Sequence, residues 1–203
     1  MHFLRNFFNV CALALLLLVF GTSKTKAAHI IGGDIYWECV TTGPDAGKFV
    51  FFLKLYRDCS IPGQTINPND QRIIIDGHPD YEGQLIDLNL ISEGDVNAQC
   101  GISCATAGPD DTSIREYVFS TAPMTLNGVP PTDGYRISFF RCCRNPVDNI
   151  VDAFSEEIRY TATMYPYNGQ DMFPCYDSSP QFAEKPTSIL CSGYQFRYNS
   201  NAT

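Results

Sequence analysis

Apolar and polar residues alternate along most of this chain in short runs, and turn residues separate the runs. "KFVFFLKLYRD" (48–58) shows it best: Phe49, Phe51, Leu53 and Leu55 fall on one face, and Val50, Phe52, Lys54 and Tyr56 on the other. A period of two with many aromatic and β-branched residues predicts a half-buried strand. The same reasoning predicts strands at "IYWECV" (35–40), "RIIID" (72–76), "QLIDLNLI" (84–91), "IREYVFST" (114–121), "GYRISFFRCC" (134–143) and "EIRYTATMYP" (157–166). In 84–91, Ile86, Leu88 and Leu90 alternate against Leu85, Asp87, Asn89 and Ile91. Runs rich in Gly, Pro, Asn and Asp, such as "TTGPDAG" and "IPGQTINPND", read as turns and loops. About seven or eight short strands at this spacing predict an all-β chain, a β-sandwich. One helical turn is expected within 145–157, and no internal repeat is visible.

The first residues break the pattern. Arg5 precedes "VCALALLLLVF" (10–20), an apolar run too short for the ~20 residues a bilayer span needs. A cationic start, a short apolar run and the small residues Thr25 and Ala27 predict a signal peptide over 1–27; an uncleaved anchor is the alternative. Residues 28–178 form the expected sandwich module. Residues 179–203 are expected to be a linker and the start of a following segment, with one more strand within "SILCSGYQFRYNSNAT". The polar ending reads as the edge of a longer chain. The mature chain contains no further run long enough to cross a membrane.

Charge and composition narrow the function. The formal charge is −8, which argues against nucleic acid as a partner. Aromatic residues make up 13% and charged residues 18%, a composition that builds a core. Of nine cysteines, Cys11 lies in the signal peptide. Cys39, Cys59, Cys100, Cys104, Cys142, Cys143, Cys175 and Cys191 remain, an even set that reads as disulfides in an exported chain. Pairing stays open.

Cys142 and Cys143 are adjacent. If the strand runs through them without a bulge, their side chains point to opposite faces, so two separate disulfides are expected. Cys100 or Cys104 is a candidate partner for one of them. Zinc would want CxxC or Cys/His spacing, and a redox site CxxC; "CGISC" (100–104) only approaches this. Arg57 and Asp58 in "LYRDC" read either as a ligand-binding ion pair or, preferably, as an edge-strand salt bridge and a turn. "DGHPD" (76–80) and "GPDD" (108–111) lack the graded oxygen spacing of a calcium loop and read as turns. "NAT" (201–203) is a glycosylation sequon. No nucleophile, P-loop, dinucleotide or metalloprotease motif appears, and nothing sets a carboxylate pair such as Glu156 and Glu157 apart. No catalytic, cofactor-binding or metal-binding residue is therefore assigned.

"HIIGGDIYWECV", "FVFFLKLYRDC", "GYRISFFRCCRN", "CYDSSPQF" and "LCSGYQF" occur in that order. Together they resemble the N-terminal module of large surface proteins of gliding bacteria with type IX secretion, proteins described as gliding-motility-associated or PKD-domain proteins. "LYRDC" and "RCCRN" are the specific parts. The resemblance implies an extracellular, disulfide-stapled, immunoglobulin-like β-sandwich with an adhesive or structural role, working beside other domains of the same protein or on surface polymers and glycans. The immunoglobulin spacing of Cys, Trp and Cys is not matched, because Trp37 precedes Cys39. The alternative is a secreted carbohydrate-binding or carbohydrate-active domain.

Overall fold

Strict alternation in a half-apolar segment gives a strand one face to bury, and in the computed structural model β2 buries that face completely. The structure describes residues 30–60, 65–96, 101–108, 113–142, 150, 151, 153, 156–166, 178–182 and 195. Seven strands occur among them: β1 (Ile30–Cys39), β2 (Phe49–Asp58), β3 (Gln71–Asp76), β4 (Ile86–Asp95), β5 (Ile114–Ser120), β6 (Tyr135–Cys142) and β7 (Glu157–Met164). Every pairing is antiparallel, in the order β1-β2-β5-β4-β3-β6-β7. The all-β expectation holds.

The β3–β4 junction is short, with Gln71–Ile73 opposite Ile86–Leu88. Two longer ladders, β1-β2-β5-β4 and β3-β6-β7, flank it and share one core. Phe49, Phe51, Leu53, Leu55 and Phe119 come from the first, and Ile73, Ile75, Ile137, Phe139 and Met164 from the second. Phe49, Phe51, Leu53 and Leu55 are all 0% exposed, and each such side chain contributes about 1.5–3 kcal/mol when buried. The two ends of the sheet also approach each other. Gly33 of β1 lies against the ring of Tyr160 of β7, and a Cβ at Gly33 would sit 2.8 Å from the Lys54 carbonyl oxygen. The sheet is thus nearly closed.

Two strands outrun their expected limits. β1 starts at Ile30 rather than 35, because Gly32 and Gly33 pair with Tyr56 and Leu55; glycine has no side chain to show alternation. β4 continues beyond 91 to Asp95. Its polar residues leave no apolar signal, but its backbone pairs with β5, Glu93 opposite Tyr117 and Asp95 opposite Arg115. The expected faces of 84–91 are as read: Leu88 is buried, and Leu85 and Ile91 are exposed. The 145–157 turn is described only in part, where Glu156 N donates to Ala153 O at 3.1 Å. Segment 1–27, the strand expected after 186 apart from Gln195, "NAT" and all of "GPDD" but Gly108 lie outside the described residues.

Register sorts the connections into two ends. Arg57 and Asp95 both lie opposite Arg115, and Cys142 lies opposite Glu157. Connections 59–70, 96–113 and 143–156 therefore leave from one end, and 40–48, 77–85 and 121–134 from the other. Along the free edge of β1, Trp37 N donates to Ser179 Oγ at 2.9 Å, Ser179 N to Trp37 O at 3.0 Å, and Gln181 Nε2 to Glu38 Oε1 at 2.7 Å. The module's hydrogen bonding thus reaches past Ser178.

Candidate functional site

The 59–70, 96–113 and 143–156 end carries a side-chain network that ties two of its three loops together. β2 leaves the sheet at Asp58, whose Oδ1 accepts from Ser60 N at 2.8 Å and closes a turn. Cys59, between them, is 4% exposed and bonded to Cys104, 45 residues later. Cys59 N donates to Ser113 O at 2.9 Å, and Ser113 Oγ lies 3.6 Å from Cys104 Sγ. Asp95, the last residue of β4, accepts from Cys104 N at 3.2 Å and from Arg115 Nε at 2.7 Å. The Arg115 hydrogen bond holds the Asp95 carboxyl below its ordinary range against the opposing cost of burial. One carboxylate so fixes the disulfide-bearing loop to the sheet.

Beneath this network the core face ends in charge. Arg57 continues the inward row of Phe49, Phe51, Leu53 and Leu55 and is only 6% exposed. This corrects the reading of Arg57 and Asp58 as an edge-strand salt bridge. β2 lies between β1 and β5, and alternation sends the two side chains to opposite faces. Asp58 does close a turn. Among the described residues Arg57 has no carboxylate partner. Its Nε is buried without a hydrogen bond to any described residue, and its Nη1 lies 3.8 Å from Cys59 Sγ. On the facing ladder, Arg141 Nη1 donates to the Asp70 carbonyl at 3.0 Å and to its carboxylate at 3.1 Å. Gln71, 2% exposed, donates to Asn67 O at 2.7 Å, and its Oε1 has no hydrogen-bond partner among the described residues. The residue type, not the period, hid Arg57 in the sequence: its place in the alternation already pointed it inward.

The remaining cysteines divide by position. Cys104 is bonded to Cys59, which removes it as a partner for Cys142 or Cys143. Cys39 and Cys142 are also disulfide-bonded. Cys142 ends β6 on the outward row with Arg136 and Phe140. Cys100, Cys143, Cys175 and Cys191 lie outside the described residues.

Other candidates resolve into local structure. In "DGHPD", Asp80 Oδ2 accepts from Asn127 Nδ2 at 3.2 Å and Asp80 N donates to His78 Nδ1 at 3.1 Å, so the segment closes a turn over the buried His78. Glu157 pairs with Arg159 at 2.9 Å. Among the described residues no group of three metal-ligating side chains occurs. Two carboxylates, Asp34 and Glu116, share the outer face of β1-β2-β5. Lys54 stands opposite Asp34, and the Tyr56 hydroxyl donates to Glu116 at 3.1 Å, so these side chains occupy the space between the acids. Burial, partly offset by Lys54, raises the Asp34 pKa. Nearby Tyr36 stacks on Phe52 at 4.7 Å, with Lys54 Nζ 4.6 Å from its centroid. Tyr36 is 7% exposed, which makes this pair a packed layer rather than an open aromatic groove.

No family model, curated protein or solved structure matches the chain.

Proposed function

We propose that the chain is a non-catalytic, extracellular module of a bacterial cell-surface protein, with an immunoglobulin-like topology and a structural or adhesive role associated with gliding motility. The observation that carries the topology is the strand order. Lettered A to G along the chain, the two ladders read A-B-E-D and C-F-G, the arrangement of a seven-stranded immunoglobulin constant-type domain. Its departures are a Trp37 on the first strand instead of the third and the hydrogen-bonded β3–β4 junction. The adhesive role rests on the loop end. The B–C and F–G connections sit at the end that immunoglobulin variable domains use for binding, and here the B–C loop is stapled to the D–E loop by Cys59–Cys104. Stiff strands carrying pinned loops suit recognition, since binding residues concentrate on loops held by a rigid body. The partners are other domains of the same surface protein or surface polymers and glycans.

The test combines purified mature protein with cells carrying a Cys59→Ser/Cys104→Ser double substitution. Surface abundance, adhesion and spreading are measured beside a glycosidase and peptidase panel on the wild type. Adhesion lost at unchanged surface abundance is the expected result. Unchanged adhesion, or robust hydrolysis that disappears in an Asp34→Asn or Glu116→Gln variant, sinks the proposal and favours a carbohydrate-active domain.

A further inference from the structure

Arg57 places its guanidinium on the core face, 6% exposed, and among the described residues it has no carboxylate partner and its Nε has no hydrogen bond. Burying a guanidinium without a counter-charge is costly. Cys59 Sγ lies 3.8 Å from its Nη1. A disulfide sulfur is neutral and a weak acceptor, so the oxidised state leaves that cost unrelieved. A thiolate at Cys59 would relieve it. An interaction that exists only in the reduced state raises the reduction potential, and a nearby cation lowers a thiol's pKa and makes its thiolate a better leaving group.

We propose that Cys59–Cys104 is a redox-labile disulfide, opened by a dithiol reductant, with Arg57 as the counter-ion of the departing Cys59 thiolate. The two sulfurs differ in access. Cys59 is 4% exposed, whereas Cys104 is half-buried, on a loop, with the Ser113 hydroxyl 3.6 Å from its sulfur. Attack therefore falls on Cys104. A thiolate of the dithiol bonds to Cys104 Sγ, the Cys59–Cys104 bond breaks, and its electron pair leaves on Cys59 beside Arg57. The second thiolate of the dithiol then attacks its own sulfur in the mixed disulfide, closing a ring and releasing Cys104, whose thiolate takes up a proton. The protein disulfide gains two electrons and the dithiol loses two. No CxxC spacing is needed, because the buried guanidinium performs the thiolate stabilisation that such motifs otherwise arrange. Opening the bond unties loop 59–70 from loop 96–113, and the chemistry holds whatever those loops bind.

The experiment equilibrates the mature wild type, Arg57→Met and Arg57→Lys with dithiothreitol over a range of oxidised-to-reduced ratios, and reads each cysteine by differential alkylation and peptide mass spectrometry. Arg57→Met keeps an apolar stem and removes the charge. Its equilibrium constant for reduction should fall at least ~10-fold, which is about 30 mV for this two-electron couple, and Arg57→Lys should recover part of the loss. In the reduced wild type the Cys59 thiol should ionise below the ordinary ~8.5. A monothiol probe should be trapped on Cys104. An unchanged equilibrium in a folded Arg57→Met, or the probe trapped on Cys59, overturns the proposal. So does a Cys59 thiol in the wild type that ionises at or above ~8.5, a measurement that needs no variant to fold.

Discussion

Gly33→Ala adds one methyl group where β1 meets β7, and that methyl has nowhere to go. It would sit 2.8 Å from the Lys54 carbonyl oxygen and closer still to the Tyr160 ring. Tyr160 is itself stacked on Phe139 at 6.1 Å in the core, so it cannot swing away freely. Overpacking of this kind costs about 1–3 kcal/mol. Against it stands the gain of about 0.4–1 kcal/mol that alanine brings by restricting the unfolded chain. The net expectation is a loss of about 1–2 kcal/mol, a Tm drop of several degrees for a domain of this size. Gly94→Ala is the internal control. It also lies in a strand, but a Cβ there meets nothing within 4 Å, so it should be neutral or stabilising by up to ~1 kcal/mol. Thermal melts and urea titrations of the two variants, with Tyr160→Ala and the Gly33→Ala/Tyr160→Ala double variant, complete a cycle. The double variant should be more stable than the sum of the single losses, because removing the ring makes room for the methyl. If Gly33→Ala is as stable as Gly94→Ala, β1 and β7 do not approach in solution, and the nearly closed sheet is refuted.

Three further outcomes follow from particular residues. Cys59→Ser/Cys104→Ser should lose about 2–4 kcal/mol in urea titration, the range expected for opening a 45-residue loop. Asp95 has a folded pKa below its reference 3.8, chiefly through Arg115, so its contribution is present above 3.8 and lost as pH falls through the lower folded value; Asp95→Asn should flatten that acid limb of the stability-versus-pH curve. His78 is 0% exposed, and burial lowers its folded pKa from 6.5 against the opposing charge of Asp80. Its stabilisation is therefore complete above 6.5 and declines as pH falls from 6.5 through the folded value. His78→Gln should remove that slope in melts between pH 7 and 5, and a slope unchanged in this variant would assign it to another group.

Much of the fold was legible because alternation is a direct record of burial. The rows Phe49–Leu55 and Ile86–Leu90 showed their faces in the letters themselves. Where side chains do not report burial, the reading stopped short. The start of β1 is held by glycine backbone, and the end of β4 by hydrogen bonds to β5 beneath polar side chains. The loop end was illegible for another reason. It depends on which strands are neighbours, and the pairing of β2 with β5, from Asp58 opposite Ile114 to Phe52 opposite Ser120, leaves no local trace. The cysteines were visible as a set, but the partner of Cys59 depends on the same long-range register.

Arg57 shows how local type and global place can disagree. A charged residue next to an aspartate at a strand end reads as surface, because arginine is seldom buried without a partner. Its position in the period reads as core, and the structure sides with the period. Such a conflict is expected where a chain departs from packing for the sake of function. The neighbouring arginines follow the usual rule: Arg115 has Asp95 and Arg141 has Asp70. Replacing Arg57 with a well-packed apolar residue would be neutral or stabilising if arginine were there only to fill space. Under the proposed redox role the cost is offset in the one state in which Cys59 Sγ, 3.8 Å from the guanidinium, carries a thiolate's charge.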